Sequence, residues 1–336
     1  MLAWIVGILF LTLTISSYFI YKMVFKPIEI NKPFYVHIDK NTRFEELLSE
    51  VKKEARLPSE KIFRILASRM NYTTNMKTGR YAVKKGDNMP RLIRRLRSGV
   101  QEPVNITFNN IRTKEIFAGR ISHQLMLDSI ALLTALNDPS VANEFGFNTH
   151  TFLSMFIPNT YQMYWDTSVQ QFLKRMEREY NTFWNASRKA KAQQIDLSPV
   201  EVSILASVVE EEAMYSDEYP TIAGLYLNRL KKGMRLEADP TIKFALGNPA
   251  LRRILLEHLE VDSPYNTYKT NGLPPGPIRI PSIKAIDGSL SPASHHYIFM
   301  CAKDDLSGRH NFATTHAEHS RNARRYHQAL NARGIY

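Results

Sequence analysis

Residues 198–212 read Ser-Pro-Val-Glu-Val-Ser-Ile-Leu-Ala-Ser-Val-Val-Glu-Glu-Glu. Ser198 as N-cap, Pro199 at the first helical position and Glu201 at the third make a capping box, so a helix starts at 199. At 100° per residue, Val202, Leu205, Val208 and Val209 share one stripe, and Glu212 falls within about 20° of Leu205. Glu210 and Glu211 point away from that stripe, as on a solvated face. A lone carboxylate facing into the protein from the last turn of a helix has to be paired, protonated or lining a cleft. Apolar surroundings raise its pKa and the charges of Glu210 and Glu211 raise it further, which keeps a general acid protonated near neutral pH. The bland alternative is a helix ending near 211, with Glu212 exposed.

Downstream, Pro220, Ile222, Leu225, Tyr226, Arg229 and Leu230, closed by Gly233, predict a second helix. Three turn-rich loops follow: Asp239-Pro240-Thr241, Tyr265-Asn266-Thr267-Tyr268, and Gly272 to Ile278. Rigid loops that mix Tyr with Asn and Asp suit a sugar-binding cleft, where rings stack on sugar faces and the polar groups bind hydroxyls. Upstream, Val104–Phe108 reads as a strand, and Lys114–Leu127, Ser129–Leu136 and Val169–Phe183 have helical spacing. The aromatic turn Phe156-Ile157-Pro158-Asn159-Thr160-Tyr161 lies among them.

Residues 34–101 form a separate small module with the order strand (Phe34–Ile38), helix (Thr42–Glu54), helix (Ser59–Met70), strand (Arg80–Val83), then a basic helix, Asn88–Arg97. This segment holds 16 Lys and Arg against 7 Asp and Glu, a net +9 of the chain's +12, while residues 102–336 carry only +1. Arg91, Arg94, Arg95 and Arg97 could meet phosphates, lipid headgroups or an anionic polymer, or simply form a solvated face. No base-reading motif is present, so nucleic acid is not an expected partner. Composition, at 44% apolar and 23% charged, excludes wholesale disorder and a polytopic membrane protein. The single cysteine, Cys301, cannot form an internal disulfide.

Leu2 to Tyr21 carries no charge and no proline, and spans roughly 30 Å as a helix. It reads as a retained transmembrane anchor, with a cleaved signal peptide as its competitor. Lys22 and Lys26 follow it and no basic residue precedes it, which leans weakly toward a cytoplasmic bulk. The expected organisation is therefore α+β: an anchor over 1–25, a linker over 26–33 with prolines at 27 and 33, the small module over 34–101, and a larger mixed α/β domain with a helical subregion over 102–336.

Several stretches together resemble the endolytic murein transglycosylases (MltG-type, YceG-like): Ala206 to Glu212, Asn228-Arg229-Leu230 with Gly233 to Leu236, Asp239-Pro240-Thr241, Tyr265 to Tyr268, Gly272 to Ile278, and His310-Asn311-Phe312. The resemblance covers most of the chain and implies a LysM-like small module, matched by Gly79–Val83 with Lys85-Gly86-Asp87. It puts the catalytic glutamate of a Glu-Lys-Glu motif on Glu212, although Glu211 here replaces the lysine. Asn159 likewise stands where the family has aspartate. The implied reaction cuts the MurNAc-GlcNAc β-1,4 bond within a glycan strand without water, leaving a 1,6-anhydro-MurNAc end and terminating nascent strands. Asn266, Tyr268, Asp239, His310 and Tyr161 are the candidate substrate-binding residues, and no cofactor or metal is expected. The implied setting is a single-pass protein of the cell inner membrane with its catalytic domain periplasmic, acting on glycan strands beside peptidoglycan synthases, against the weak charge lean. Two alternatives stand beside this: a non-catalytic, membrane-tethered peptidoglycan-binding scaffold, and a metal-dependent hydrolase suggested by His295, His296, His310, His316 and His319. No HExxH supports the latter.

Overall fold

An uncharged run from Leu2 to Tyr21, continued through Lys22, makes helix α1 (Leu2–Phe25), whose segment Trp4–Phe25 has a mean hydropathy of 1.8 and has no buried residue. It is long and apolar enough to cross a membrane. The structure, a computed structural model, describes residues 2–251 and 254–334; Met1 and residues 335–336, where the expected anchor begins and the expected catalytic domain ends, lie outside the described residues. The chain divides into two units, the first comprising residues up to Ile106 with His123–Leu127 and Tyr161–Ser168, the second the remainder.

After α1 the first unit runs β1 (Glu29–Ile30), β2 (Phe34–Ile38), α2 (Phe44–Glu54), β3 (Ala55–Arg56), α3 (Glu60–Arg69), β4 (Gly79–Val83), α4 (Met89–Ser98) and into β5 (Val104–Phe108). β2 and β4 are antiparallel, with Phe34 opposite Val83 and Ile38 opposite Gly79. Val36 and Ile38 of β2 face a core of Leu47, Val51, Phe63, Tyr81, Leu92 and Leu96, while Tyr35 and His37 face out, as period-two alternation requires. The expected 26–33 linker is corrected. Ile28 is 2% exposed within that core, its N–H donates to Asp87 O at 2.7 Å, and β1 pairs with β3. An apolar side chain and free strand donors so close to a core edge gain more from docking than from remaining a solvated tether. The expected basic face of α4 is also reduced. Arg95 turns inward, its Nη2 donating to Asp87 Oδ1 at 2.9 Å and its Nη1 to Ala82 O at 2.7 Å.

The remaining elements are α5 (Lys114–Ser122), shorter than the spacing predicted, α6 (Ser129–Asn137), α7 (Pro139–Glu144), β6 (Asn159–Met163), α8 (Val169–Phe183), α9 (Ala186–Gln194), α10 (Pro199–Glu212), α11 (Tyr219–Lys231), α12 (Asp239–Ala245), α13 (Ile283–Ser289), β7 (Phe299–Ala302), β8 (His310–Ala313) and α14 (His316–Ala332). β5 pairs with β6, and β7 runs antiparallel to β8 with Ala302 opposite His310. The protein is thus a mixed helix and strand structure of small sheets with an N-terminal apolar helix. α10 is the centre of the second unit, in contact with α11, α12 and α13. The capping box is present, Ser198 Oγ accepting from Glu201 N and Glu201 accepting from Ser198 N. Every residue from Val202 to Val209 is buried, serines included, so the one-sided stripe predicted from sequence is in fact a helix covered on all sides. Ser203 and Ser207 tolerate this by donating back to Pro199 O and Ile204 O.

Candidate active site

α10 ends on three consecutive glutamates with three different environments. Glu211 receives a bidentate pair from Arg112, Nε at 3.0 Å and Nη2 at 2.9 Å, and a further bond from Arg279 Nη1 at 2.8 Å. Glu210 Oε2 accepts from Ser282 N at 2.8 Å and lies 3.5 Å from Arg279 Nε. Neither side chain is on the solvated face expected from the helical wheel: Arg279 is 8% exposed and draws both inward. Glu212, the last residue of the helix, has no cationic partner among the described residues; its Oε1 accepts a 2.7 Å hydrogen bond from the Tyr226 hydroxyl.

Burial raises the Glu212 pKa to about 7, against the Tyr226 hydrogen bond, which favours the charged form and lowers it. The Asp239 charge raises it, Lys243 lowers it, and Glu211 adds a small push upward. Desolvation rather than the neighbouring glutamates therefore dominates, because those glutamates are already neutralised by arginine. A carboxyl group that titrates near 7 can both give and take a proton at physiological pH.

Glu212 lines a cleft of about 610 Å³. Tyr226 and Arg229 enter it from α11, Asp239 from the first turn of α12, Tyr268 from the following loop, and His310 from β8. Asp239-Pro240-Thr241 is not the turn predicted but a helix start, with Pro240 at a position where the missing N–H is harmless. The Tyr268 hydroxyl donates to Asp239 Oδ1 at 2.6 Å, and burial together with that carboxylate pushes its phenol well above the usual range. Arg229, 6% exposed, braces the wall by donating from Nη1 to Arg235 O and Leu236 O, both at 3.0 Å, and to Glu237 Oε2 at 2.9 Å. His310 is oriented by Glu218: its backbone N–H donates to Oε1 at 3.0 Å and its Nδ1 lies 3.1 Å from Oε2.

Of the sequence candidates, the structure brings Glu212, Asp239, Tyr268 and His310 into one cleft. Asn266 is corrected: fully buried, its Nδ2 donates to Leu259 O and Val261 O at 2.8 Å, and its Oδ1 accepts from Tyr268 N at 3.0 Å. It staples the loop that presents Tyr268 and exposes no surface. Tyr161 lies on β6, is 4% exposed and does not line this cleft. Sequence reasoning missed the roles of Tyr226, Glu218 and Arg279, whose partners lie on other elements with no fixed spacing to signal them. Of the histidine-rich segment, His310, His316 and His319 border the cleft, while His295 Nε2 lies 2.9 Å from Thr221 O. Among the described residues no three His, Cys, Asp or Glu side chains converge as metal ligands.

A sequence model described as the YceG-like family matches residues 36–325. The chain is 28% identical over 338 residues to the endolytic murein transglycosylase of Bacillus subtilis (strain 168), covering 95% of this chain and 92% of that protein. It is 25% identical over 350 residues to the endolytic murein transglycosylase of Streptococcus pneumoniae serotype 2 (strain D39 / NCTC 7466), covering 92% of this chain but 62% of that longer relative. A crystal structure of a yceG-like protein from Listeria monocytogenes superposes with a TM-score of 0.57 at 25% identity, over 86% of this chain and 99% of that one.

Proposed function

The chain belongs to the YceG-like family, and from that premise we propose that it is an endolytic murein transglycosylase in which Glu212 performs both proton transfers. The protonated Glu212 carboxyl gives its proton to the glycosidic oxygen as the bond from C1 of the muramic residue breaks. The resulting carboxylate takes a proton from the C6 hydroxyl as that oxygen attacks C1, closing the 1,6-anhydro ring. One bond forms, one breaks, and Glu212 ends protonated, so no water is consumed. The observation that carries this reading is a single carboxyl of the glutamate run left without a cation, in a cleft, with a pKa of about 7. Ordinary glycosidases need two carboxyl groups in separate protonation states. Asp239 favours the protonated form of Glu212 through its charge and holds Tyr268 at the cleft wall, while Tyr268 and His310 offer hydroxyl and imidazole groups to the sugar.

By the same reading α1 anchors the chain in the cell inner membrane with residues 102–336 on the extracytoplasmic side, where murein lies. The pairing of β2 with β4 around α2 and α3 supports a LysM-like module, to which 27–33 contributes its first strand, and peptidoglycan synthases are its expected neighbours. The test is to incubate full-length protein in detergent with purified glycan strands and read the product ends by mass spectrometry. Anhydro ends from the wild type, and none from Glu212→Gln, are expected. Reducing ends would mean hydrolysis, equal cutting by the variant would remove Glu212 from the chemistry, and strand retention without cutting would leave a scaffold.

A further inference from the structure

The residues at the end of α10 and the start of α12 border two hollows. Glu212 and Asp239 face the catalytic cleft, whereas Glu211, Pro240, Lys243 and Phe244 line a second cavity of about 520 Å³. Its size suits a small ligand or a short peptide. Its lining combines apolar, cationic and acidic groups, the acidic ones being Glu115 and Glu211. Leu153, Phe244, Tyr265 and Ile278 supply apolar surface, and Arg112, Lys114 and Lys243 supply positive charge.

Those cations are unequally compensated. Arg112 is held by both oxygens of Glu211. Lys114 donates to the neutral Asn137 Oδ1 at 3.0 Å, and burial pushes its ammonium pKa down, against a partial offset from the Glu115 charge. Lys243 makes no ion pair among the described residues. Two ammonium groups without a bonded carboxylate, at the edge of an apolar hollow, match a ligand that carries both carboxylates and small apolar side chains.

The cavity is also preformed. A Cβ on Gly276 would lie 2.1 Å from His150 O, so the chain just before the lining residues Pro277 and Ile278 approaches the lining residue His150 as closely as only glycine permits. Tyr265 Oη lies 3.4 Å from His150 Nδ1 and its ring packs on Phe244 with centroids 4.7 Å apart, which fixes the aromatic wall. A site built before the ligand arrives loses less freedom on binding.

We propose that this cavity is a subsite for the acidic peptide stem carried by the muramic residue of the substrate, with Lys114 and Lys243 receiving stem carboxylates. This rests on the murein reading of the adjacent cleft. The stem is the anionic, alanine-containing group covalently attached beside the scissile bond, so a strand seated at Glu212 delivers it next to α12. Bare glycan offers the cavity only sugar or a lactyl carboxylate. The site thus makes stem-bearing strands the preferred substrate.

The experiment measures kcat/KM of the full-length protein on glycan strands of one length, with stems intact or removed by an amidase, for the wild type, Lys114→Gln and Lys243→Gln. The wild type cuts stem-bearing strands roughly tenfold faster, the size expected of a charge-assisted hydrogen bond. Lys114→Gln lowers that rate toward the stripped-strand value while leaving the stripped-strand value unchanged. Lys243→Gln, on a different element, narrows the same ratio, while loss of its charge also raises the Glu212 pKa and moves the rates on both strands together. Equal wild-type rates on both strands, or variants that slow both strands by the same factor, overturn the stem subsite and leave a sugar subsite or a structural role. Absence of anhydro ends from either strand instead overturns the murein reading beneath it.

Discussion

The hydroxyl of Tyr226 on α11 donates a 2.7 Å hydrogen bond to Oε1 of Glu212 at the end of α10. That bond stabilises the carboxylate, while burial, the stronger influence, stabilises the acid. Tyr226→Phe keeps the ring, which is 1% exposed, and removes only the donor. The Glu212 pKa then rises above its present value of about 7. Because the acid form starts the reaction, kcat/KM falls as pH rises through that pKa, and the variant moves this basic limb to higher pH. It also lowers kcat roughly tenfold, since the carboxylate formed in mid-reaction loses its donor. A pH-rate profile checks both; lower kcat with an unmoved limb would make Tyr226 merely structural.

Glu212 also makes the folded protein pH-sensitive. Its folded-state pKa of about 7 lies above the ordinary value of 4.5, so the folded state holds the proton more tightly than the unfolded one. The associated stability is fully present below the unfolded value and is lost as pH rises through about 7. Glu212→Gln removes the titration. Unfolding by urea at pH 5 and pH 8 should therefore show the variant gaining on the wild type by up to about 3 kcal/mol at the higher pH. An activity-dead variant that is more stable in alkali is the expected signature; a pH-independent difference would contradict the burial argument.

What made Glu212 legible was local: a capping box fixes the helix start, and 3.6-residue periodicity then fixes which face each later residue occupies. The same rule failed for Glu210 and Glu211, because periodicity reports direction along one helix and knows nothing of Arg279, which approaches from 68 and 69 residues further along the chain. Asn266 was misjudged for a related reason. An asparagine in an aromatic loop can serve a ligand or its own backbone, and only the positions of Leu259 O and Val261 O decide between them. Asp239-Pro240 looked like a turn because proline both opens helices and shapes turns; α12 is one short helix with little pattern to separate the two.

Arg279 is placed between Glu210 and Glu211 with a side chain only 10% exposed. Arg279→Gln leaves Glu210 without a cation in a poorly solvated place and leaves Glu211 with Arg112 alone. The expected loss is about 3 to 5 kcal/mol of stability, as when one partner of a buried ion pair is removed. Arg112→Gln should cost less, because its side chain is 38% exposed and Glu211 keeps Arg279. Thermal or urea unfolding of both variants checks the order, and a reversed order would show that Arg112 is the principal counter-ion.

The segment after α1 carries the last prediction. Ile28 fills the first unit's core, its N–H holds Asp87 O, and β1 closes on β3. A fragment beginning at residue 34 loses all three, while one beginning at residue 26 keeps them and drops only the apolar helix. The shorter fragment should be less stable by about 2 to 4 kcal/mol or more in this unit, exceeding the loss from Ile28→Ala in the full chain, which removes the buried side chain but keeps the backbone bonds. Limited proteolysis should accordingly cut within residues 34–101 of the shorter fragment first. Equal protease resistance of the two fragments would mean that 27–33 is a tether after all.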